Sequence, residues 1–217
     1  ECHQLNKRFF TYHDKKRPFI ILKWAETQDG FIDKIRNEED ANEPNWISNA
    51  YSQQLVHKLR AEEHAILIGT TTAINDNPSL TVRKWSGINP IRIVIDRSSK
   101  IPTDYELFTD GIKTIVFSEV KNVIDSYNSI VFERINFNKN VPEQICAVLF
   151  KYEIQSLIIE GGAKTIQSFI DANLWDEAFV FIGDTTFKEG LKAPSLKSSS
   201  VEFTKIDSDI VKHYKNY

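Results

Sequence analysis

The chain contains no methionine and only two cysteines, Cys2 and Cys146. Without a starting methionine, the opening Glu1-Cys2-His3 reads as a processed end or as a piece cut from a longer protein. Two thiols exclude a disulfide framework and a four-cysteine zinc site. They suit a reducing cytoplasm. No apolar run approaches the roughly 20 residues of a membrane span, and no secretory signal opens the chain. Charge of one sign is also lacking: 27 Lys plus Arg against 30 Asp plus Glu give a net −3. That balance argues against broad nucleic-acid binding.

What is present is globular. Hydrophobic residues make up 41% and charged residues 26% of 217, which excludes a disordered chain. The length suits one large domain or two small ones. Residues 1–18 are polar and basic and read as a linker or arm. Phe19–Trp24 (FIILKW) reads as a buried strand. Residues 33–44 read as an exposed loop. Ser48 is placed as the N-cap of a helix with Tyr51, Leu55 and Leu59 on one stripe. Further strands are expected at 64–68, 91–95, 114–117, 130–132, 156–159 and 178–182. Helices are expected around Ala73, from Pro142, and after Gly162. A polar loop spans 184–200, and 201–206 with 210–214 form a terminal antiparallel pair. Alternating strands and helices favour an α/β sandwich with a mainly parallel sheet.

Two turns share one design: strand, glycine, helix start. They are Gly69-Thr70-Thr71-Thr72 and Glu160-Gly161-Gly162-Ala163-Lys164-Thr165. Helix N–H groups there can face a phosphate. Either turn alone is equally a plain strand–helix connection, since neither matches a Rossmann fingerprint or a P-loop. Together they tilt toward a dinucleotide or two phosphorylated ligands. Lys23 inside an apolar strand needs an anion or a cleft, unless it reaches solvent from an edge. Glu160 lies at the carboxyl end of a strand, where open α/β sheets bind ligands; a helix-capping role competes. Asp76 alone reads as a turn residue. Asp96 at a strand end suits a ribose hydroxyl, whereas Arg97, Ser98, Ser99 and Lys100 suit a 2′-phosphate or form a solvated basic turn. Trp46 is either a hydrophobic staple or a ring that packs on a flat ligand. No histidine has metal-ligand spacing. His57 is expected to face out of its helix and His64 to open a strand.

Several runs then occur in one order: Leu22-Lys23-Trp24-Ala25-Glu26-Thr27-Gln28-Asp29-Gly30, Trp46-Ile47-Ser48, Leu59-Arg60-Ala61, Thr72 to Arg83, Pro90 to Asp96, and Ile159-Glu160-Gly161-Gly162. Over residues 5–217 they resemble the reductase domain of the bifunctional riboflavin-biosynthesis deaminase–reductase. The resemblance implies a dihydrofolate-reductase-like three-layer sandwich with an antiparallel C-terminal strand pair. It implies NADPH-dependent reduction of 5-amino-6-(5-phosphoribosylamino)uracil, with hydride delivered to C1′ of the open-chain imine. It places Lys23, Asp76 and Glu160 as catalytic residues. Ser48, Arg60, Leu80 and Arg83 become substrate contacts, the two arginines meeting the 5-phosphate. Trp46, Thr72, Arg97, Gly162, Ala163, Lys164 and Thr165 become NADPH contacts. Pro44 stands where relatives often carry a small polar residue, so no side-chain hydrogen bond is expected there.

The zinc-deaminase signature H-x-E with P-C-x-x-C is absent. The expected organisation is therefore 1–18 as the arm from a missing N-terminal deaminase domain and 19–217 as the reductase domain. The resemblance implies a homodimer, with the terminal strands and Trp175 as candidate interface; the thiols, hydropathy, net charge and histidine spacing give the expectation of a cytoplasmic protein without metal, membrane or nucleic-acid partners. Two alternatives stay open: a reductase of this fold acting on a pterin, and a non-catalytic nucleotide-binding domain. Arg60 and Arg83 argue against a pterin, which brings no phosphate. Lys23, Asp76 and Glu160 together argue against a retired site.

Overall fold

A computed structural model describes residues 2–35, 45–120, 129–197 and 200–217. In chain order the elements are α1 (Cys2–Leu5), α2 (Lys7–Lys15), β1 (Phe19–Glu26), β2 (Phe31–Asp33), α3 (Ala50–Glu62), β3 (Ala65–Gly69), α4 (Thr70–Asp76) and β4 (Ile91–Ile95). There follow α5 (Glu106–Thr109), β5 (Thr114–Ser118), β6 (Ile130–Arg134), α6 (Val141–Lys151), β7 (Ser156–Ile159), α7 (Ala163–Asp171), β8 (Glu177–Ile182), β9 (Leu191–Lys192), β10 (Val201–Ile206) and β11 (Asp209–Lys215).

Among the described residues, nine strands form one sheet in the order β10-β11-β8-β1-β7-β3-β4-β5-β6. From β8 to β6 all neighbours run parallel. The terminal pair β10–β11 adds an antiparallel edge on β8. The expected α/β architecture is therefore observed. Its strands are apolar on both faces because both faces are covered. On one face Ile20, Leu22, Trp24, Leu157 and Ile159 pack against Ile145, Cys146 and Leu149 of α6 and Ile166 and Phe169 of α7. On the other face Phe19, Ile21, Ile66 and Ile158 meet Leu59 of α3, Ala73 of α4 and Leu107 and Phe108 of α5. Each large side chain so buried contributes about 1.5–3 kcal/mol. No helix among the described residues is long and apolar enough to cross a membrane.

The connection from β6 at the far edge returns to β7, which inserts between β1 and β3. The strand order reverses there, and a crevice opens at the carboxyl ends of β1, β7 and β3.

Five expectations are corrected. The expected arm is helical. α2 buries Thr11 and Tyr12, Tyr12 Oη donates to Phe150 O at 3.0 Å, and Arg8, Lys7 and Lys15 pair with Glu63, Glu177 and Asp176. The segment reads as polar because ion pairs dock most of it. Asn49, not Ser48, caps α3: its side chain accepts from Ser52 N. Asn49 N donates to Asp209 Oδ2 and its Nδ2 to Ile206 O. This anchor to the β10–β11 turn sets the rotation of α3. Ser52, Val56, His57 and Leu59 face inward, while Tyr51 is exposed. His57 is thus buried rather than outward. Trp175 is core, which removes it from any surface. The polar loop at 184–200 contains β9, which pairs with β2. Much of the expected 33–44 loop, Pro44 with it, lies outside the described residues, as do 198 and 199.

Candidate active site

Strand parity brings the charged residues together. Glu160 follows β7 two positions after Ile158, and Lys23 follows Ile21 by two on β1. Both therefore share the sheet face covered by α3. Arg60, in the last turn of α3, reaches the same point. Its Nε donates to Glu160 Oε1 at 2.8 Å and its Nη2 to Oε2 at 2.7 Å, a two-pronged grip. Lys23 Nζ stands 3.9 Å from Glu160 Oε2, and the Glu160 side chain is 5% exposed.

Burial pushes the Glu160 carboxyl up, but the charges of Arg60 and then Lys23 outweigh it and hold it down at about 2. Glu160 is a fixed anion at neutral pH. Burial also disfavours the Arg60 charge, which Glu160 more than restores. Lys23 is shifted down, chiefly by burial and against the pull of Glu160, with Arg60 adding to the lowering. It is the member of the cluster most readily deprotonated.

Beside this cluster lies a cleft of about 540 Å³, within the usual range for small-ligand sites. Its lining includes Trp24, Gly69, Thr70, Thr71, Thr72, Asp76, Glu160 and the run Gly161 to Ile166, with Ile32 of β2 and Leu191 of β9 as walls. The two glycine turns interlock. A Cβ on Gly69 would stand 2.5 Å from Thr165 Oγ1, and one on Gly161 would stand 2.8 Å from Thr72 Cγ2. Each turn's threonine occupies the space that the other's glycine leaves. Gly162 has φ +77°, a left-handed conformation that suits glycine. No side chain caps α7, so its first N–H groups are available to an anion. Hydroxyls of Thr72 and Thr165, the Lys164 ammonium and these N–H groups form a donor set suited to a diphosphate.

The structure thus unites Lys23, Arg60 and Glu160, and lines one cleft with Asp76, Glu160, Thr72, Gly162, Ala163, Lys164 and Thr165. The other expected contacts lie outside that lining. Arg60 is engaged by Glu160 and by Thr81 O at 3.3 Å, so its guanidinium holds a carboxylate, while Arg83 is exposed. Leu80 is buried in the α3-side core with φ 56°; a buried side chain there makes packing contacts. Ser48 is half-buried, with its carbonyl accepting from Gln53 Nε2. Trp46 is 67% exposed, beneath the Lys84 ammonium, so it is not a staple. Arg97 is on the surface, paired with Glu119 at 3.0 Å. Asp96 is corrected from ribose contact to turn residue: it is buried and accepts from Lys100 N and Ile101 N at 2.9 and 3.0 Å. Among the described residues no group of His, Cys, Asp and Glu is arranged to hold a metal ion.

Reading from the sequence missed His57. It is buried, and its Nδ1 accepts from Arg83 N at 3.0 Å. Its spacing three residues before Arg60 on α3 was the available signal.

The described site belongs to a chain with recognisable relatives. Residues 18–211 match the RibD C-terminal domain family. The riboflavin biosynthesis protein RibD of Aquifex aeolicus is 34% identical over 209 residues, 93% of this chain and 56% of that protein. The chain thus spans little more than half of such relatives. The 2,5-diamino-6-ribosylamino-4(3H)-pyrimidinone 5′-phosphate reductase of the same organism is 28% identical over 173 residues, 75% of each chain. Among solved structures, the Thermotoga maritima diaminohydroxyphosphoribosylaminopyrimidine deaminase/5-amino-6-(5-phosphoribosylamino)uracil reductase has a TM-score of 0.81 at 28% identity, covering 98% of this chain and 60% of that one. Enterococcus faecalis dihydrofolate reductase, solved with NADP(H), shares the fold at a TM-score of 0.50 and 14% identity, covering 92% of this chain and 97% of that one.

Proposed function

Because the chain belongs to the RibD C-terminal domain family, we propose that it reduces 5-amino-6-(5-phosphoribosylamino)uracil to the 5-phosphoribitylamino compound, with NADPH as reductant. The observation that carries this reading is that Glu160, held by Arg60 and flanked by Lys23, lines one cleft together with the uncapped start of α7. The N–H groups at Ala163 to Thr165, with Thr72 and Lys164, would hold the cofactor diphosphate. When bound, the cofactor supplies the hydride. Arg83 meets the substrate 5-phosphate.

The sugar reacts as its open-chain imine. Opening the ring moves one proton from the glycosidic N–H to the ring oxygen; reduction adds hydride to C1′ and a proton to nitrogen. Lys23 protonates the ring oxygen, and Asp76 takes the nitrogen proton and returns it. Glu160, a permanent anion, offers no proton. It orients Lys23 and keeps a positive charge at that point favourable. The same reading carries a homodimer through the terminal strand pair, where Phe203 and Ile210 are exposed.

The test is NADPH oxidation by the purified protein with three substrates: the aminouracil, the 2,5-diamino pyrimidinone named for the shorter relative, and dihydrofolate. Oxidation with the aminouracil supports the proposal. Oxidation with the diamino compound alone moves the substrate one deamination earlier. Oxidation with dihydrofolate alone turns the chain into a pterin reductase, and none with any leaves a nucleotide-binding domain.

A further inference from the structure

We infer that His57 is a positioning residue for this reaction, its bare Nδ1 clamping the segment that presents Arg83 to the substrate phosphate. The inference rests on the reading of Arg83 given above. Residues 77–90 form no helix or strand, so their backbone N–H groups have no ladder to join. Side chains take the ladder's place. Ser79 O accepts from Arg92 Nη1 at 3.2 Å, Thr81 O from Arg60 Nη1 at 3.3 Å, and Val82 N donates to Asn89 Oδ1 at 2.8 Å. The last clamp is at Arg83 itself, whose N–H donates to His57 Nδ1 at 3.0 Å.

A backbone N–H can only donate, so Nδ1 must carry no proton and the ring proton sits on Nε2. Burial of the ring comes first, followed by the charges of Arg60, Arg83 and Lys84, in holding His57 down at about 4, so the imidazole stays neutral. His57 and Arg60 lie one turn apart on α3 and grip the segment at Arg83 and Thr81. Arg60 grips Glu160 at the same time. One helical turn therefore references the phosphate contact to the carboxylate of the reacting site. Misplacement of a charged contact by an ångström is enough to lose substrate affinity.

The experiment compares wild type with His57→Phe and His57→Leu, which remove the acceptor, and His57→Asn, whose Oδ1 can replace Nδ1. The KM for the phosphorylated pyrimidine rises about three- to tenfold in the Phe and Leu variants, the worth of one hydrogen bond. Turnover at saturation and the KM for NADPH stay within about twofold, and His57→Asn restores the pyrimidine KM. With the dephosphorylated riboside, wild type and variants behave alike. Exchange of the Arg83 amide hydrogen is slow in wild type and His57→Asn and fast in the Phe and Leu variants. An unchanged pyrimidine KM, an Asn variant as impaired as Phe, equal amide exchange throughout, or an equal loss with the riboside overturns the inference. Absence of wild-type turnover overturns the functional reading instead, and the exchange comparison still reads the clamp. A variant that does not fold is replaced by its partner.

Discussion

Replacing Glu160 by glutamine removes a charge while keeping shape and volume. In the wild type the carboxyl is held at about 2 against an ordinary 4.5. At about 1.4 kcal/mol per pH unit, the ionised form is worth ~3 kcal/mol at pH 7. The sign follows from the lowering. This stability is present above pH 4.5 and is lost as pH falls toward 2, with roughly 2 kcal/mol left at pH 3.5. In Glu160→Gln none of it exists, and Arg60 and Lys23, 13% and 15% exposed, face an amide. Breaking a buried pair costs about 3–5 kcal/mol. The variant should therefore lose at least ~3 kcal/mol at pH 7, or about 6–12 °C in Tm for a chain of this size. The gap to wild type should narrow by roughly 1–2 kcal/mol between pH 7 and pH 3.5. Urea titrations of both proteins at pH 7, 5 and 3.5 measure it. A loss under about 1 kcal/mol at pH 7, or a gap that does not change with pH, would refute the claim that Glu160 is a buried anion held by Arg60.

Other substitutions separate the remaining roles. Lys23→Met should leave stability within about 1 kcal/mol, since burial already disfavours that charge, yet turnover should fall about 10²–10⁴-fold; a Tm loss as large as that of Glu160→Gln would contradict the assignment. Asp76→Asn should fold and bind NADPH but reduce substrate far more slowly, and wild-type turnover in that variant would remove Asp76 from the mechanism. Gly161→Ala places a methyl 2.8 Å from Thr72 Cγ2, forcing the interlocked turns apart; the NADPH KM should rise about tenfold or more, ~1.4 kcal/mol, while thermal stability changes less than for Glu160→Gln. Steady-state kinetics with cofactor varied checks it.

The fold was legible where one local signal sufficed. The strands at 19–24, 91–95 and 114–117 are apolar runs interrupted only by Lys23 and Arg92 and opened by Thr114, and such runs between two helical layers have few other uses. α6 and α7 followed from apolar spacing that needs only one covered face. Failures came where a distant partner decides the outcome. α2 looks like an arm because its docking is done by Arg8, Lys7 and Lys15 on acids more than fifty residues away in sequence. The rotation of α3 is set with Asn49 meeting Asp209, so of the expected stripe Leu59 and Leu55 face the core while Tyr51 turns to solvent. Asp96 had the right place for a ribose contact, but its own turn supplies two N–H donors first.

The site divides the same way. Glu160 was legible as a cleft-facing position because crevices open at strand ends where the strand order reverses. Its charge state was not, because that depends on Arg60, one hundred positions earlier. This distinction bears on the proposed chemistry. A carboxyl at a strand end and against apolar residues alone would be pushed up and become a proton donor. The same carboxyl in the fork of an arginine is a permanent anion, and the proton must come from elsewhere. On the proposed reading, Arg60 thus leaves Lys23, whose charge burial disfavours, as the acid of the cluster.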